Sequence, residues 1–235
     1  MASKFDRIVL AVPELSAAVA QYRQLLGLSP FTHESPQGGL VAWWGLPNTV
    51  IELVQSVIDQ PRLQGIVFSA PDAAALEKPV GNPLGVDIRL GDGQRTTGFR
   101  LEHPAAQCTG FALDHIVLRT DDAQACIDLF AGELGIRLAL DKAAPAWGGR
   151  MLFFRAGKLT LEVIEGEGDA KSGNAFWGLA YQCQDLAGTL RTLGERGIAF
   201  SAMREGRKPG TLVATLKSHH LGIPTLLIQP AESTA

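Results

Sequence analysis

Apolar and polar positions along the chain follow two rhythms, period two and period 3.6, that alternate in a fixed order. Ile8 to Val12 is a β-branched, apolar run and reads as a strand. Pro13 follows, a residue that a first helical turn tolerates because its missing N–H has no intrahelical partner there. Leu15, Val19, Tyr22, Leu25 and Leu26 then mark one face of a helix, which Gly27 closes as a left-handed cap. Strands are expected next at 40–45 and 49–55.

The same order returns. Phe5-Asp-Arg-Ile-Val-Leu10 parallels Leu113-Asp-His-Ile-Val-Leu118 at an offset of 108, as does Leu26-Gly-Leu28 with Leu134-Gly-Ile136. Val50-Ile-Glu-Leu-Val54 parallels Thr160-Leu-Glu-Val-Ile164 at an offset of 110. In this second copy Asp121 or Asp122 caps a helix with the stripe Cys126, Ile127, Phe130 and Leu134, and Gly135 ends it. Strands are expected at 150–156 and 159–165, before a loop from Glu165 to Asn174.

Weaker copies fill the gaps. Gly65-Ile-Val-Phe68 with Asp72 parallels Gly178-Leu-Ala-Tyr181 with Asp185. After Asp185 comes a helix with the stripe Leu186, Leu190 and Leu193, stopped by Gly197, then strands near 198–202, 211–216 and 223–229. The shorter partner predicts a helix over 73–78, cut by Pro79, and strands near 85–90 and 97–102. Four strand–helix–strands units therefore begin near residues 5, 64, 113 and 175, with Cys108-Thr-Gly as the junction between two pairs, 1–108 and 109–235. Each sheet has helices for one face only, so the other face meets another unit or lines a cleft. The expected class is α+β: four βαβββ modules forming two curved mixed sheets that enclose clefts, with helices outside.

Composition narrows the functions. The 235 residues carry 21 Lys+Arg against 24 Asp+Glu, with no basic cluster, which argues against a phosphate-tracking nucleic-acid partner. Apolar runs are far shorter than the ~20 residues that span a bilayer. Asp6 and Arg7 interrupt the place where a secretory apolar region would lie. Cys108, Cys126 and Cys183 are widely spaced and odd in number, which predicts reduced thiols and a cytoplasmic protein. A small molecule is the expected partner, and a homodimer is left open.

The repeated "DRIVLAVPELSAAVAQYRQLLGL…VIELV" and "DHIVLRTDDAQACIDLFAGELGI…LTLEVIE" resemble the vicinal-oxygen-chelate superfamily. That group holds glyoxalase I, bleomycin-resistance proteins, extradiol dioxygenases and methylmalonyl-CoA epimerase, and the whole arrangement is most like a glyoxalase-like domain protein. The resemblance implies metal ligands on the first and last strands of a module, commonly His and Glu. The third unit carries both, His115 and Glu162; the first has Glu52 but Arg7 in place of His. The fourth has Gly178 and Leu227 at these places; the second has Gly65, with Arg100, Glu102 and His103 near its last strand.

Strand alternation, independently, sets His115, Val117 and Arg119 on one side with Thr160, Glu162 and Ile164, opposite the apolar Ile116, Leu118, Leu161 and Val163. His115 and Glu162 are thus the expected catalytic pair and metal ligands, for Zn, Fe, Ni or Mn, or act with no metal at all. Arg7 and Glu52 read as an ion pair or a clamp on an anionic ligand. Trp44, Phe154 and Trp177 are the expected aromatic lining, and Arg150 a steering charge. The implied function is a glyoxalase-like protein binding a small oxygenated molecule, as a metal-dependent lyase or isomerase. The alternatives are a metal-free binding protein of the bleomycin-resistance type and, more distantly, an extradiol-type dioxygenase.

Overall fold

A computed structural model describes residues 2, 4–36, 38–144, 149–166 and 173–231. Its first repeat is β1 (Lys4–Val12), α1 (Leu15–Leu26), β2 (Phe31–Glu34), β3 (Leu40–Leu46) and β4 (Thr49–Gln55). The second is β5 (Arg62–Ser69), β6 (Lys78–Pro79), β7 (Asp87–Gly91) and α2 (Gln94–Glu102). The third is β8 (Ala112–Thr120), α3 (Ala123–Cys126) running into a π-helical stretch (Ile127–Glu133), β9 (Arg137–Ala144), β10 (Gly149–Ala156) and β11 (Leu159–Glu165). The fourth is β12 (Ala175–Gln182), α4 (Leu186–Glu195), β13 (Arg204–Glu205), β14 (Leu212–Thr215) and β15 (Thr225–Gln229). Of the expected loop after Glu165, residues 167–172 lie outside the described residues.

The strands form two mixed, open sheets, in the orders β2-β3-β4-β1-β5-β7-β6 and β13-β14-β15-β12-β8-β11-β10-β9. The class is α+β, with the repeats of each half side by side in one sheet. By compactness the chain divides into two units, Met1–Val9 with Leu63–Glu102 and His115–Gly178, and Leu10–Arg62 with His103–Asp114 and Leu179–Ala235.

Helix ends follow the local chemistry. Glu14 caps α1, its carboxylate accepting from the N–H groups of Ser16 and Ala17, and Gly27 closes the helix at φ 79°. Those bonds, the one from Ala17 above all, hold the Glu14 carboxyl below its ordinary range. The cap therefore stabilises α1 at neutral pH and fades as the pH falls through that lowered value. Glu14→Ala is expected to melt lower than wild type at pH 7 and to converge with it in acid, read by thermal melts across pH.

Four segments depart from the expected pattern. Residues 73–77 form bends and irregular chain and Lys78 opens β6, rather than a helix, and 97–102 belong to α2 rather than a strand. Thr97 and Phe99 suit a strand, but Asp92 accepts from the Gln94 N–H and the hydroxyls of Thr96 and Thr97 bond the Gly93 carbonyl. These bonds start a helix whose Thr96 and Phe99, three apart, are buried. The helix capped by Asp122 widens after one turn, where the Leu134 N–H reaches the Leu129 carbonyl, five residues back. That shift buries Leu129 in place of the expected Ile127. Near 198–202 there is only a bridge from Phe200 to Leu216.

All three cysteines are free and buried, and burial pushes the Cys126 thiol up to about 11, which makes it core filler rather than a nucleophile. No helix among the described residues is long and apolar enough to cross a membrane.

Candidate functional site

In the third repeat one face of the sheet packs against the helix, and the opposite face is partly open, with Val117 and Met151 buried and its other side chains partly exposed. Ile116, Leu118, Leu152, Phe154, Leu161 and Val163 are fully buried on the helix side, where the Phe154 ring meets Phe130 at 5.3 Å. The opposite face is built in rows, because residues facing each other across a sheet share a side. One row runs His115–Thr160–Arg155, the next Val117–Glu162–Phe153–Leu140, and the third Arg119–Ile164–Met151–Lys142. His115 and Glu162 stand in neighbouring rows, and their side chains converge to 3.7 Å between Nε2 and Oε2. At 17% and 14% exposure both are sheltered yet reachable. The separation exceeds a direct hydrogen bond, and the two atoms can contact one ligand atom together.

The first repeat has the matching row Phe31–Trp43–Glu52, and it is closed. The Trp43 indole N–H donates to Glu52 at 2.6 Å, and Trp43 is 1% exposed. Phe31 is stacked under His103 at 3.6 Å, with His33 at 4.9 Å from Phe31 and edge-on to Trp43. Arg7 is bound in ion pairs with Asp6 at 3.1 Å and Glu77 at 2.5 Å. Arg95 also reaches Glu77, and the Thr96 hydroxyl donates to Asp6. Burial raises the Asp6 carboxyl above its ordinary value, and the neighbouring Arg7 draws it back down.

The other repeats hold no such pair. A side chain at Gly65 would collide with the Asp87 carbonyl oxygen. In the fourth repeat Ala180 pairs with Leu226 and Tyr181 with Leu227. Leu226, not Leu227, is therefore the counterpart of Glu162; Leu227 lies on the other side, fully buried. His219 and His220 serve a turn, their Nδ1 atoms within hydrogen-bond distance of the Ser218 hydroxyl and the Ile223 carbonyl.

Three residues expected to line the cleft lie elsewhere. Trp44 is fully buried against Tyr22 of α1, with its N–H on the Leu28 carbonyl. Phe154 belongs to the helix-side core, and Arg150 shares that side, forked onto Asp141 at 2.8 and 2.6 Å. In each aromatic pair the neighbour takes the other face, Trp43 and Phe153, because consecutive strand residues point oppositely. Trp177 is 40% exposed beneath the Arg119 guanidinium, 4.2 Å from the ring centre. Lys142 lies 5.9 Å from the Phe153 ring. Parity alone sets Arg119 beside His115, so its place was readable; Glu77, 70 residues from Arg7, left no such signal.

Two open sheets of repeated strand–helix–strands units, with a His–Glu pair on first and last strands, define a vicinal-oxygen-chelate fold. Residues 114–215, the segment that holds the pair, match the model of the Glyoxalase/Bleomycin resistance protein/Dioxygenase superfamily. Among solved structures, a triple mutant of 4-hydroxymandelate synthase from Streptomyces coelicolor is similar over 100% of this chain and 94% of its own, at TM-score 0.71 and 15% identity. The 2,3-dioxygenase LapB from Pseudomonas sp. KL28 covers 98% of this chain and 93% of its own, at TM-score 0.65 and 13% identity. No curated protein matches the sequence. These likenesses establish the fold; the chemistry rests on the site.

The superfamily resemblance implies a divalent metal, and the donors present can be tested against it. Among the described residues no group of three or more His, Cys, Asp or Glu side chains is placed to hold a metal ion. His115 and Glu162 supply one imidazole nitrogen and one carboxylate, short of the three or four protein donors such an ion ordinarily takes. Among the described residues the donor set does not fit a resident metal.

Proposed function

We propose that the open face around His115 and Glu162 binds a small oxygenated organic molecule, the pair engaging one of its oxygens directly. The observation that carries this is the 3.7 Å approach of a sheltered imidazole and carboxylate on a face that the same row of the first repeat keeps shut. A hydroxyl placed there donates to the Glu162 carboxylate while the His115 ring, with its proton on Nε2, donates to the same oxygen. The carboxylate can also take a proton from one atom of the ligand and return it to a neighbouring atom, the elementary step of an isomerisation. Phe153 in the Glu162 row offers an aromatic surface for the ligand body.

The test is calorimetric titration of the chain, purified without chelator, with phenols, vicinal diols and α-hydroxyketones, with metal content measured alongside. One-to-one binding that persists after exhaustive chelation is the expected result. Binding that vanishes with the metal and returns on reloading, or no binding by any of the three classes, overturns the reading.

A further inference from the structure

The open face is polarised along its strands, and the polarity names a ligand class. Resting on the reading above, we infer that the ligand is an organic anion. Its oxygen lies at His115 and Glu162, its flat apolar body over Phe153 and Ile164, and its acid group at the Arg119 end of the next row, with Lys142 adding a longer-range attraction from the other end. The row Arg119–Ile164–Met151–Lys142 has a cation at each end and apolar side chains between. It lies one row, two residues or ~7 Å along the strands, from Glu162. A carboxylate is repelled by Glu162 at one end and attracted at the other, so charge alone orients such a molecule.

Among the described residues no carboxylate pairs with Arg119 or Lys142; each lies by an aromatic ring, Arg119 on Trp177 and Lys142 near Phe153. A guanidinium stacked on an indole keeps its N–H edge free for a two-pronged bond to a carboxylate, and the ring holds it in place. Arg150, on the other face, shows the contrast: Asp141 already occupies its fork. A benzene ring bearing oxygen and carboxylate at opposite ends spans about the distance between the two rows.

The test compares 4-hydroxybenzoate with 4-hydroxybenzamide, the same shape without the charge, and with phenol, by calorimetric titration. Wild type is expected to bind the benzoate about tenfold more tightly than the amide, a factor that one charge-assisted hydrogen bond accounts for. In the double variant Arg119→Gln/Lys142→Gln the two ligands should bind alike, and Arg119→Lys should restore part of the preference. Arg119 and Lys142 are exposed, so the variants should melt with wild type, which separates lost recognition from lost folding. Equal binding of benzoate and amide by wild type, or a preference that survives in the double variant, overturns the anion inference. If phenol and the amide still bind and His115→Ala weakens them, the oxygen site stands without it. If none of the three binds, both fall.

Discussion

Arg7→Met is expected to cost the chain about 3–5 kcal/mol of stability, the range for removing one member of a buried ion pair. The side chains of Arg7, Asp6 and Glu77 are only 3%, 4% and 6% exposed, so water cannot take the place of the guanidinium. Without it two carboxylates remain in a low-dielectric setting, although Arg95 still reaches Glu77 and the Thr96 hydroxyl still donates to Asp6. The sign with pH follows. Burial already raises the Asp6 carboxyl, and Arg7 is the charge that opposes the rise, so the variant raises it further. An acid whose folded value lies above its unfolded one destabilises the fold as pH rises through that interval. The deficit of Arg7→Met should therefore be larger at pH 7 than at pH 5, measured by urea unfolding at both. Adding Asp6→Asn and Glu77→Gln removes the stranded charges and should recover part of the loss. A single variant as stable as wild type would mean that the cluster carries no net weight.

His115→Ala and Glu162→Gln are each expected to weaken binding of an oxygenated ligand by about ten- to a hundredfold, the range for a hydrogen bond to a charged group. Melting should barely move, because both side chains lie on the open face rather than among the buried residues against the helix. Glu52→Gln is the control: the same rank of the first repeat, with its carboxylate taken by the Trp43 indole, should leave affinity unchanged. Titration calorimetry with parallel thermal melts decides the matter. Unchanged affinity in both site variants, or an equal loss in Glu52→Gln, would remove His115 and Glu162 from the site.

The pair was legible in the sequence because period-two alternation assigns a face to every strand residue once one neighbour is known. Ile116 and Leu118 are apolar, so His115 had to look the other way. Runs of two aromatics defeat the same logic: Trp43-Trp44 and Phe153-Phe154 are apolar on both sides, and only packing against Tyr22 and Phe130 tells which ring is core. Register between strands is equally silent, which is why Leu227 stood for Leu226 until the pairing of β12 with β15 was known. Local bonding overrode propensity at 97–102, where Asp92 and Gly93 start a helix on a strand-like composition. Glu77 sits in a stretch without periodicity, and its role exists only through a partner far along the chain.

The stacked rings of Phe31, His33, Trp43 and His103 have a consequence for how such a chain can change. One copy of a duplicated architecture has become its own occupant, held rigid by contacts it makes with itself. The other copy is then at liberty to acquire new specificities, since a substitution at Phe153, Arg119 or Lys142 would alter what the proposed site recognises while the filled twin goes on sustaining the scaffold.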